Sequence, residues 1–247
     1  MSFRFDEARQ CFVVGPTNTP CKGLHSFLEE TLYPTYQSTC GSATRKKTTT
    51  TKNKKMKSRQ KGKPRTYGMK LALLRGKRVD DQLKAWTEGK KTKRRDLLTK
   101  QIIDACDSWG WTPLESQVAV GIESARTATA FDLLCQNTKR ELILIEVKTG
   151  FEGYWKTSKG QKLEHPAVAH VPSNPKTHAV LQAAVTSIYT EATRGVAIDH
   201  VYVLRSYSEG CERIVVRTTD QQNKKKAPRW LPAAMKVVGE ALIARQK

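Results

Sequence analysis

Alternating apolar and polar residues in the middle of the chain predict three consecutive β-strands. Residues 117–122 alternate, and residues 127–134 form a second, largely apolar segment after a short break. A polar turn at 136–139 leads to residues 141–147, whose Leu-Ile-Leu-Ile run is typical of a strand buried on both faces. Because only a short turn separates the second strand from the third, we expect these two strands to pair antiparallel.

Apolar residues at helical spacing predict helices on both sides of these strands. The longest pattern starts near Tyr67 and is interrupted by Gly76, whereas Ser26 and Glu29 have the spacing of a capping box and predict a short helix at 26–32. The other predicted elements are helices at 95–108, 175–193 (stopped by Gly195) and 231–245, and strands at 200–204 and 213–217, the last at an edge. The order helix, three strands, helix, strand predicts an α/β fold with a mixed sheet flanked by helices.

A strongly basic segment separates two parts of ordinary composition. Residues 45–65 contain eleven Lys and Arg residues, no acid and almost nothing apolar. Such a segment cannot bury enough surface to offset its chain entropy, so we expect it to be disordered when free. The chain is accordingly predicted to consist of an N-terminal segment of unassigned role at 1–44, a disordered basic tract at 45–66 and a folded domain at 67–247.

The charge of the chain points to a polyanionic partner. The net charge is +21, and removal of the eleven basic residues of the tract leaves +10 for the remainder. The tract could hold phosphates, act as a nuclear address or serve as a solvated linker. The residues that we expect to contact nucleic-acid phosphates are Lys46, Lys47, Lys54, Lys55, Lys57, Arg59, Lys61, Lys63, Arg65 and, beyond the tract, Lys156.

The composition argues against membrane and secretory classes. No apolar run approaches the roughly 18 residues of a membrane span, and the first ten residues lack the apolar core of a signal peptide. The six cysteines include no C-x-x-C pair, which favours reduced thiols over a disulfide framework or a zinc site. We therefore expect an intracellular protein with no membrane partner, and the basic tract is compatible with a nuclear location.

Two acids and an amine are predicted to meet near the ends of the second and third strands. Asp132 lies in the second strand, and Glu146 and Lys148 lie two apart on the third, so their side chains share one face. Such charges in an aliphatic sheet are costly unless they are paired or bound to a metal, and carboxylates suit Mg²⁺ or Mn²⁺. We expect Asp132, Glu146 and the Val147 carbonyl to ligate the metal. Lys148 would orient or deprotonate a water that attacks a phosphodiester.

This arrangement resembles the PD-(D/E)XK nuclease superfamily. Asp132 is followed, across a turn, by Glu146-Val147-Lys148, although Phe131 stands where the family name has Pro. The resemblance covers residues 76–204 and implies a restriction-endonuclease-like αβββαβ core with a mixed sheet flanked by helices.

Flanking segments are similar to the lambda-exonuclease and RecB-like subgroup. Gly76 is followed by Asp80 and Asp81, of which the resemblance implies that Asp80 reaches the metal. The segment 178–182 is similar to the helix whose glutamine lines the active site, which implies a catalytic role for Gln182. Thr186 stands where the subgroup often has Tyr. Glu115 resembles an acid found before the first strand in several members.

These features together predict a metal-dependent deoxyribonuclease, either an exonuclease or a recombination, repair or replication nuclease. By analogy alone, the architecture is suggestive of viral or phage replication modules. A structure-specific endonuclease is the nearest variant, and RNA is a second candidate substrate. From another class, a non-enzymatic nucleic-acid binding or packaging protein would also explain the basic tract, and Glu-x-Lys alone could be a cross-strand salt bridge. A binding protein gains nothing, however, from two acids that face a phosphate. A homo-oligomer is compatible with the sequence.

Overall fold

The computed structural model describes residues 2–33, 65–92, 94–149, 155 and 161–246. The strands are β1 (Phe3–Asp6), β2 (Cys11–Val14), β3 (Thr19–Gly23), β4 (Thr112–Ile122), β5 (Thr127–Gln136), β6 (Leu142–Thr149), β7 (His200–Tyr207) and β8 (Gly210–Thr218). The helices are α1 (Leu24–Leu32), α2 (Arg65–Thr87), α3 (Leu97–Ser108), α4 (Pro175–Arg194), α5 (Gln221–Lys224) and α6 (Leu231–Ala244), with a short 3-10 helix at Pro166–Val168. Within these described ranges, no helix combines the length and apolar character needed to cross a membrane.

The strands form one mixed, open sheet that helices flank on both faces, as the sequence predicts. Strands β1, β2 and β3 make an antiparallel meander, and β3 pairs in parallel with the first two residues of β5. Strand β4 pairs antiparallel along β5, and β6 continues the sheet antiparallel to β5. Strand β7 lies parallel to β6, because α4 crosses over between them, and β8 forms the edge.

Strand β6 divides the apolar core into two layers. Its Ile143 and Ile145 belong to the cluster formed with α2 and α3, whereas Leu144 belongs to the cluster formed with α4 and α6. All three side chains are at most 1% exposed, so the strand is buried on both faces. Complete burial of each such side chain stabilises the fold by about 1.5–3 kcal/mol.

The N-terminal segment, to which the sequence assigned no role, shares this core. Phe27, Leu28 and Leu32 of α1 are buried in the same cluster as residues of α4. Helix α1 begins at Leu24 and its N-cap makes no side-chain hydrogen bond, so the capping box predicted at Ser26 is wrong. The three preceding strands were not predicted, because they are only four or five residues long and alternate weakly.

Helices α4 and α2 differ in how closely they follow the interruptions that glycine residues predict in the sequence. Helix α4 ends at Gly195, whose φ of 68° is left-handed, as predicted from the position of that glycine. Helix α2 instead continues through Gly76, where none of the described residues lies within 4 Å of an added Cβ. It also includes Arg65 and Thr66, so these two residues are helical and do not belong to a disordered tract. Residues 45–64 lie outside the described residues.

Candidate metal and catalytic site

The candidate site lies where β5 and β6 separate. Their antiparallel pairing ends at Leu133 and Ile145, although both strands continue beyond that pair. Strand β3 pairs only with the first two residues of β5, on the edge opposite β4. Residues 129–132 consequently have no strand partner on this edge within the described part of the chain. Asp132 and Glu146 lie on the two sides of the resulting gap.

The Asp132 carboxylate bridges this gap. Its Oδ2 accepts a hydrogen bond of 2.7 Å from the backbone N–H of Val147, which replaces a ladder bond that the diverging strands cannot form. Its Oδ1 accepts a hydrogen bond of 3.3 Å from the side-chain amide of Gln117. Two donors on two different strands therefore fix the position of the carboxylate.

Gln117 holds an unusual backbone conformation directly opposite Asp132. Its φ is 54°, in the left-handed region, which costs a residue with a Cβ about 1–2 kcal/mol. The ladder between β4 and β5 pairs Ser116 with Leu133 and Val118 with Phe131, but it omits Gln117 and Asp132 themselves.

Both strands change faces at this position. Leu133 packs into the core layer of α2 and α3, whereas Phe131, two residues earlier, packs into the layer of α4. On β4, the Ser116 hydroxyl lies 3.4 Å from that of Thr87 on α2, whereas Val118 packs into the α4 layer. In a regular strand, residues two apart lie on the same face. Asp132 therefore lies at a break in the alternation, between Phe131 and Leu133 on opposite faces.

Glu146 is the most deeply buried acid of the group, with 1% of its surface exposed. Its Oε1 accepts a hydrogen bond of 2.5 Å from Lys148 Nζ, which also donates to Gln182 Oε1 at 3.0 Å. Its Oε2 is buried and accepts no hydrogen bond from a donor among the described residues, and the Asp132 carboxylate lies close enough to raise the pKa of Glu146 through a shared proton. A buried acceptor without a partner costs about 1–3 kcal/mol, so this oxygen favours an additional ligand.

Burial and the charge of Asp132 raise the pKa values of the two neighbouring acids, Glu146 and Asp80. Burial, reinforced by the charge of Asp132, raises the pKa of Glu146 to about 8, although Lys148 opposes the shift. Burial also raises the pKa of Asp80 on α2 to about 7, with Asp132 and then Asp81 adding to the effect. Three carboxyl groups therefore share the field of one ammonium group, and an added cation would relieve their repulsion.

The donor set fits a hard divalent cation by its chemistry, but its side chains are not gathered around one point. Carboxylate oxygens and a backbone carbonyl are the ligands that Mg²⁺ and Mn²⁺ prefer. Among the described residues, however, no three His, Cys, Asp or Glu side chains are grouped closely enough to hold a metal. Because Lys148 already binds Glu146, metal binding would include a rearrangement of these side chains.

The structure brings four of the predicted site residues into one hydrogen-bonded or electrostatically coupled group, namely Asp132, Glu146, Lys148 and Gln182. Asp80 is half-buried and coupled to Asp132, whereas Asp81 is exposed.

Other predicted residues lie apart from this group or beyond the described residues. The Glu115 carboxylate binds the Arg194 guanidinium through two hydrogen bonds of 2.8 and 2.5 Å. Val147 contributes its N–H to Asp132, and ligation by its carbonyl stays a prediction. The predicted phosphate-binding residues at 46–63 and Lys156 lie outside the described residues, and Arg65 is the first residue of α2.

The structure also adds residues that the sequence analysis missed. His178 lies one helical turn before Gln182, and its ring stacks on that of Tyr33 with centroids 4.0 Å apart. Burial lowers the pKa of His178 to about 4, and the charges of His25 and Lys148 contribute. The spacing of four between His178 and Gln182 was a visible signal for His178, but Tyr33 and Gln117 carried none.

A scan against models of known protein families finds no match to this chain, and no curated protein has a significantly similar sequence.

Proposed function

We propose that the chain is a metal-dependent nuclease with a PD-(D/E)XK-type core, which hydrolyses DNA phosphodiester bonds as an exonuclease or a recombination, repair or replication nuclease. The observation that carries this proposal is the gap between β5 and β6, which holds Asp132 and Glu146 on its two sides and Lys148 bound to Glu146. A stabilising ion pair needs neither the second acid nor a buried oxygen without a partner.

A mechanism for the residues themselves follows from their contacts. When bound by Asp132, Glu146, Asp80 and the Val147 carbonyl, Mg²⁺ or Mn²⁺ would polarise a phosphoryl oxygen and lower the pKa of a water. Lys148, held between Glu146 and Gln182, is placed to orient that water or to steady the charge that develops on the phosphate. Gln117 positions Asp132, because it donates to the oxygen that Val147 does not use.

The test is cleavage of end-labelled linear DNA and of closed circular DNA by the full chain, with Mg²⁺, with Mn²⁺ and with a chelator. We expect Asp132→Asn, Glu146→Gln and Lys148→Met each to slow cleavage by at least about 100-fold, as loss of a group acting on the developing charge does elsewhere. The chelator should abolish cleavage altogether. Circular DNA separates endonuclease from exonuclease action.

Neighbouring acids supply a matched control. Asp80 is half-buried and faces the field of Asp132, whereas Asp81 is exposed on the same helix. We expect Asp80→Asn to slow cleavage by tenfold or more and Asp81→Asn by less than twofold. If the Asp132, Glu146 and Lys148 variants all cleave at the wild-type rate, the site is not a nuclease centre. If the wild-type chain retards DNA but never cuts it, a non-enzymatic binding protein is the better description.

A further inference from the structure

A second cleft lies at the far end of the sheet from the candidate catalytic site. It has a volume of about 580 Å³ and lies where β6 and β7 begin, beside the turn that follows β5. Ile143 in its wall precedes Lys148 by five residues on β6, a separation of roughly 17 Å at the rise of a strand. Ile143 also lies on the opposite face of β6 from Leu144. Glu146, two residues after Leu144, shares the face of Leu144. The cleft is therefore distinct from the site around Asp132.

One wall of this cleft is aromatic. The rings of Trp111 and Tyr202 are stacked, with centroids 5.1 Å apart and an interplanar angle of 13°. Trp109 lies against Trp111 at 4.7 Å. Trp111 is buried in the core, but Trp109 is only half-buried and lines the cleft, with the Arg213 guanidinium over its ring. An accessible indole at the mouth of a polar cleft is a platform on which a flat ring can stack.

Arg213 supplies a cation beside these rings. Its guanidinium lies 4.5 Å from the centroid of Trp109, 5.3 Å from that of Tyr202 and 5.6 Å from that of Trp111. Within the described part of the chain, its side chain has no ion pair and donates no hydrogen bond. The rings hold the planar group by cation–π contacts and leave its N–H donors available. A guanidinium held in this way binds phosphate oxygens through two parallel hydrogen bonds.

The acids that line the cleft are already engaged by protein groups. Glu141 accepts hydrogen bonds from His200 and from Asn137. Asp220 caps α5 through the backbone N–H of Gln222 and also accepts from Asn223. Among the residues that line the cleft, Lys139 is exposed and carries a second positive charge. The two cations of the lining are therefore open to an anionic ligand, whereas its two acids already accept hydrogen bonds from the protein.

We propose that this cleft binds single-stranded nucleic acid, with a phosphodiester on Arg213 and Lys139 and a base stacked on Trp109. The volume falls within the range of about 300–1,000 Å³ that is usual for small-ligand sites and accommodates a nucleotide. A base inside a duplex has both faces covered by its neighbours, so stacking on Trp109 selects an unpaired strand. The proposed function contributes to this inference only the class of ligand, nucleic acid. The test measures binding and needs no cleavage.

The experiment measures binding of a labelled deoxythymidine octamer to the full chain by fluorescence anisotropy, in chelator so that no hydrolysis occurs. We expect Arg213→Gln and Trp109→Leu each to weaken binding by about tenfold, since stacking alone is worth about 1–3 kcal/mol per base. Arg229→Gln is the matched control, because Arg229 is exposed, carries the same charge and lies outside the cleft lining. It should weaken binding by less than twofold. Urea unfolding of each variant establishes that the loss is not one of folding, and Lys139→Gln serves if Arg213→Gln is unstable.

Three competitors make the outcome decisive. An octamer with the same phosphates but no bases should bind more weakly and should be insensitive to Trp109→Leu. A blunt duplex should compete poorly at this site. The proposal is overturned if Arg213→Gln and Trp109→Leu bind like Arg229→Gln, if the abasic octamer binds as well as the deoxythymidine octamer, or if octaglutamate displaces the oligonucleotide equally well. If the wild-type chain binds the octamer through this cleft but does not cleave DNA, only the proposed nuclease activity is overturned.

Discussion

Gln117 links backbone strain to the position of a candidate catalytic acid. Its left-handed φ and its hydrogen bond to Asp132 occur in the same residue, at the point where β4 and β5 both change faces. Strain of this kind persists only where the surrounding structure imposes it, and it is frequent at functional sites. We infer that the strand irregularity serves to present Asp132 to the gap between β5 and β6.

Substitutions at Gln117 should separate stability from activity. Gln117→Gly removes both the strain and the amide, so we expect the free energy of unfolding to stay the same or rise by up to about 1 kcal/mol while cleavage slows about tenfold. Gln117→Ala keeps the strain and loses the amide, so it should be less stable than the glycine variant and equally slow. Urea unfolding and single-turnover cleavage measure the two effects. Equal activity of Gln117→Gly and the wild type would show that the amide does not position Asp132.

Glu146 should make the metal-free protein less stable as the pH rises. Burial raises the pKa of its carboxyl to about 8, above the ordinary value of 4.5, so the folded state holds a proton that the unfolded state releases. A raised carboxyl pKa stabilises the fold fully below pH 4.5, and this stabilisation is lost progressively as the pH rises towards 8. We expect Glu146→Gln, which mimics the protonated acid, to flatten the decline of the Tm between pH 5 and 9 in chelator.

A comparison of the wild type with Glu146→Gln also tests metal binding, and it does not depend on cleavage. A cation that binds only the folded state stabilises it by about 2.7 kcal/mol at 100 times its Kd. Mg²⁺ or Mn²⁺ should therefore raise the Tm of the wild type at pH 8 and leave that of Glu146→Gln unchanged. An identical gain in both proteins would place the metal elsewhere.

At the scale of single residues, the sequence singles out candidates where the chemistry is local. Asp132, Glu146 and Lys148 could be singled out because charged residues interrupt apolar strands, and their spacing gives the face on which they lie. Gln117 could not, because a glutamine in an alternating segment looks like any solvent-facing position. Its role depends on a backbone angle and on the register between two strands, neither of which a single sequence encodes locally.

At the scale of elements, the join between the N-terminal meander and the main sheet depends on Gly121. A Cβ on this residue of β4 would lie 2.4 Å from the Thr127 carbonyl oxygen and 2.8 Å from the Phe3 ring. The carbonyl belongs to the backbone of β5 and cannot move without disturbing the pairing of both strands. We expect Gly121→Ala to lower the free energy of unfolding by about 2–3 kcal/mol, as overpacking of a core does.

Gly239 provides the opposite case. It lies within α6 and an added Cβ would meet nothing within 4 Å. Gly239→Ala should therefore raise the free energy of unfolding by about 0.5–1 kcal/mol through helix propensity alone. Thermal or urea unfolding compares the two variants. A loss of less than 0.5 kcal/mol for Gly121→Ala would mean that β1 is not packed firmly over β4.

The long elements were predictable and the short ones were not. Strands β5, β6 and β7 and helix α4 each carry a repeated apolar pattern, and their predicted positions are confirmed to within three residues at each end. The meander of β1 to β3 gains its stability from pairing with the sheet and from the burial of α1, so its own residues show little pattern. Tertiary contacts decide such segments, and local propensity does not.

At the scale of the whole molecule, positive charge is carried by two different parts of the sequence. Ten basic residues lie within 45–64, and the remaining excess is distributed along the rest of the chain. If the stretch holds phosphates, it contributes affinity that does not depend on the DNA sequence and that falls steeply as salt rises. Each contact to a duplex phosphate adds about −0.9 to the slope of the logarithm of the binding constant against the logarithm of the salt concentration. The folded body would instead place one phosphodiester at the candidate metal site.

Replacement of residues 45–64 by a neutral Gly/Ser segment of equal length tests this division. Equal length keeps α1 and α2 tethered as before, and the exchange leaves Arg65 at the start of α2. We expect the affinity for duplex DNA at low salt to fall at least tenfold and the salt dependence to become shallower, because fewer counterions are released on binding. Single-turnover cleavage at saturating enzyme should change less than threefold, since Asp132, Glu146 and Lys148 are untouched. A fall in the single-turnover rate as large as the fall in affinity would mean that the tract acts at the scissile phosphate itself.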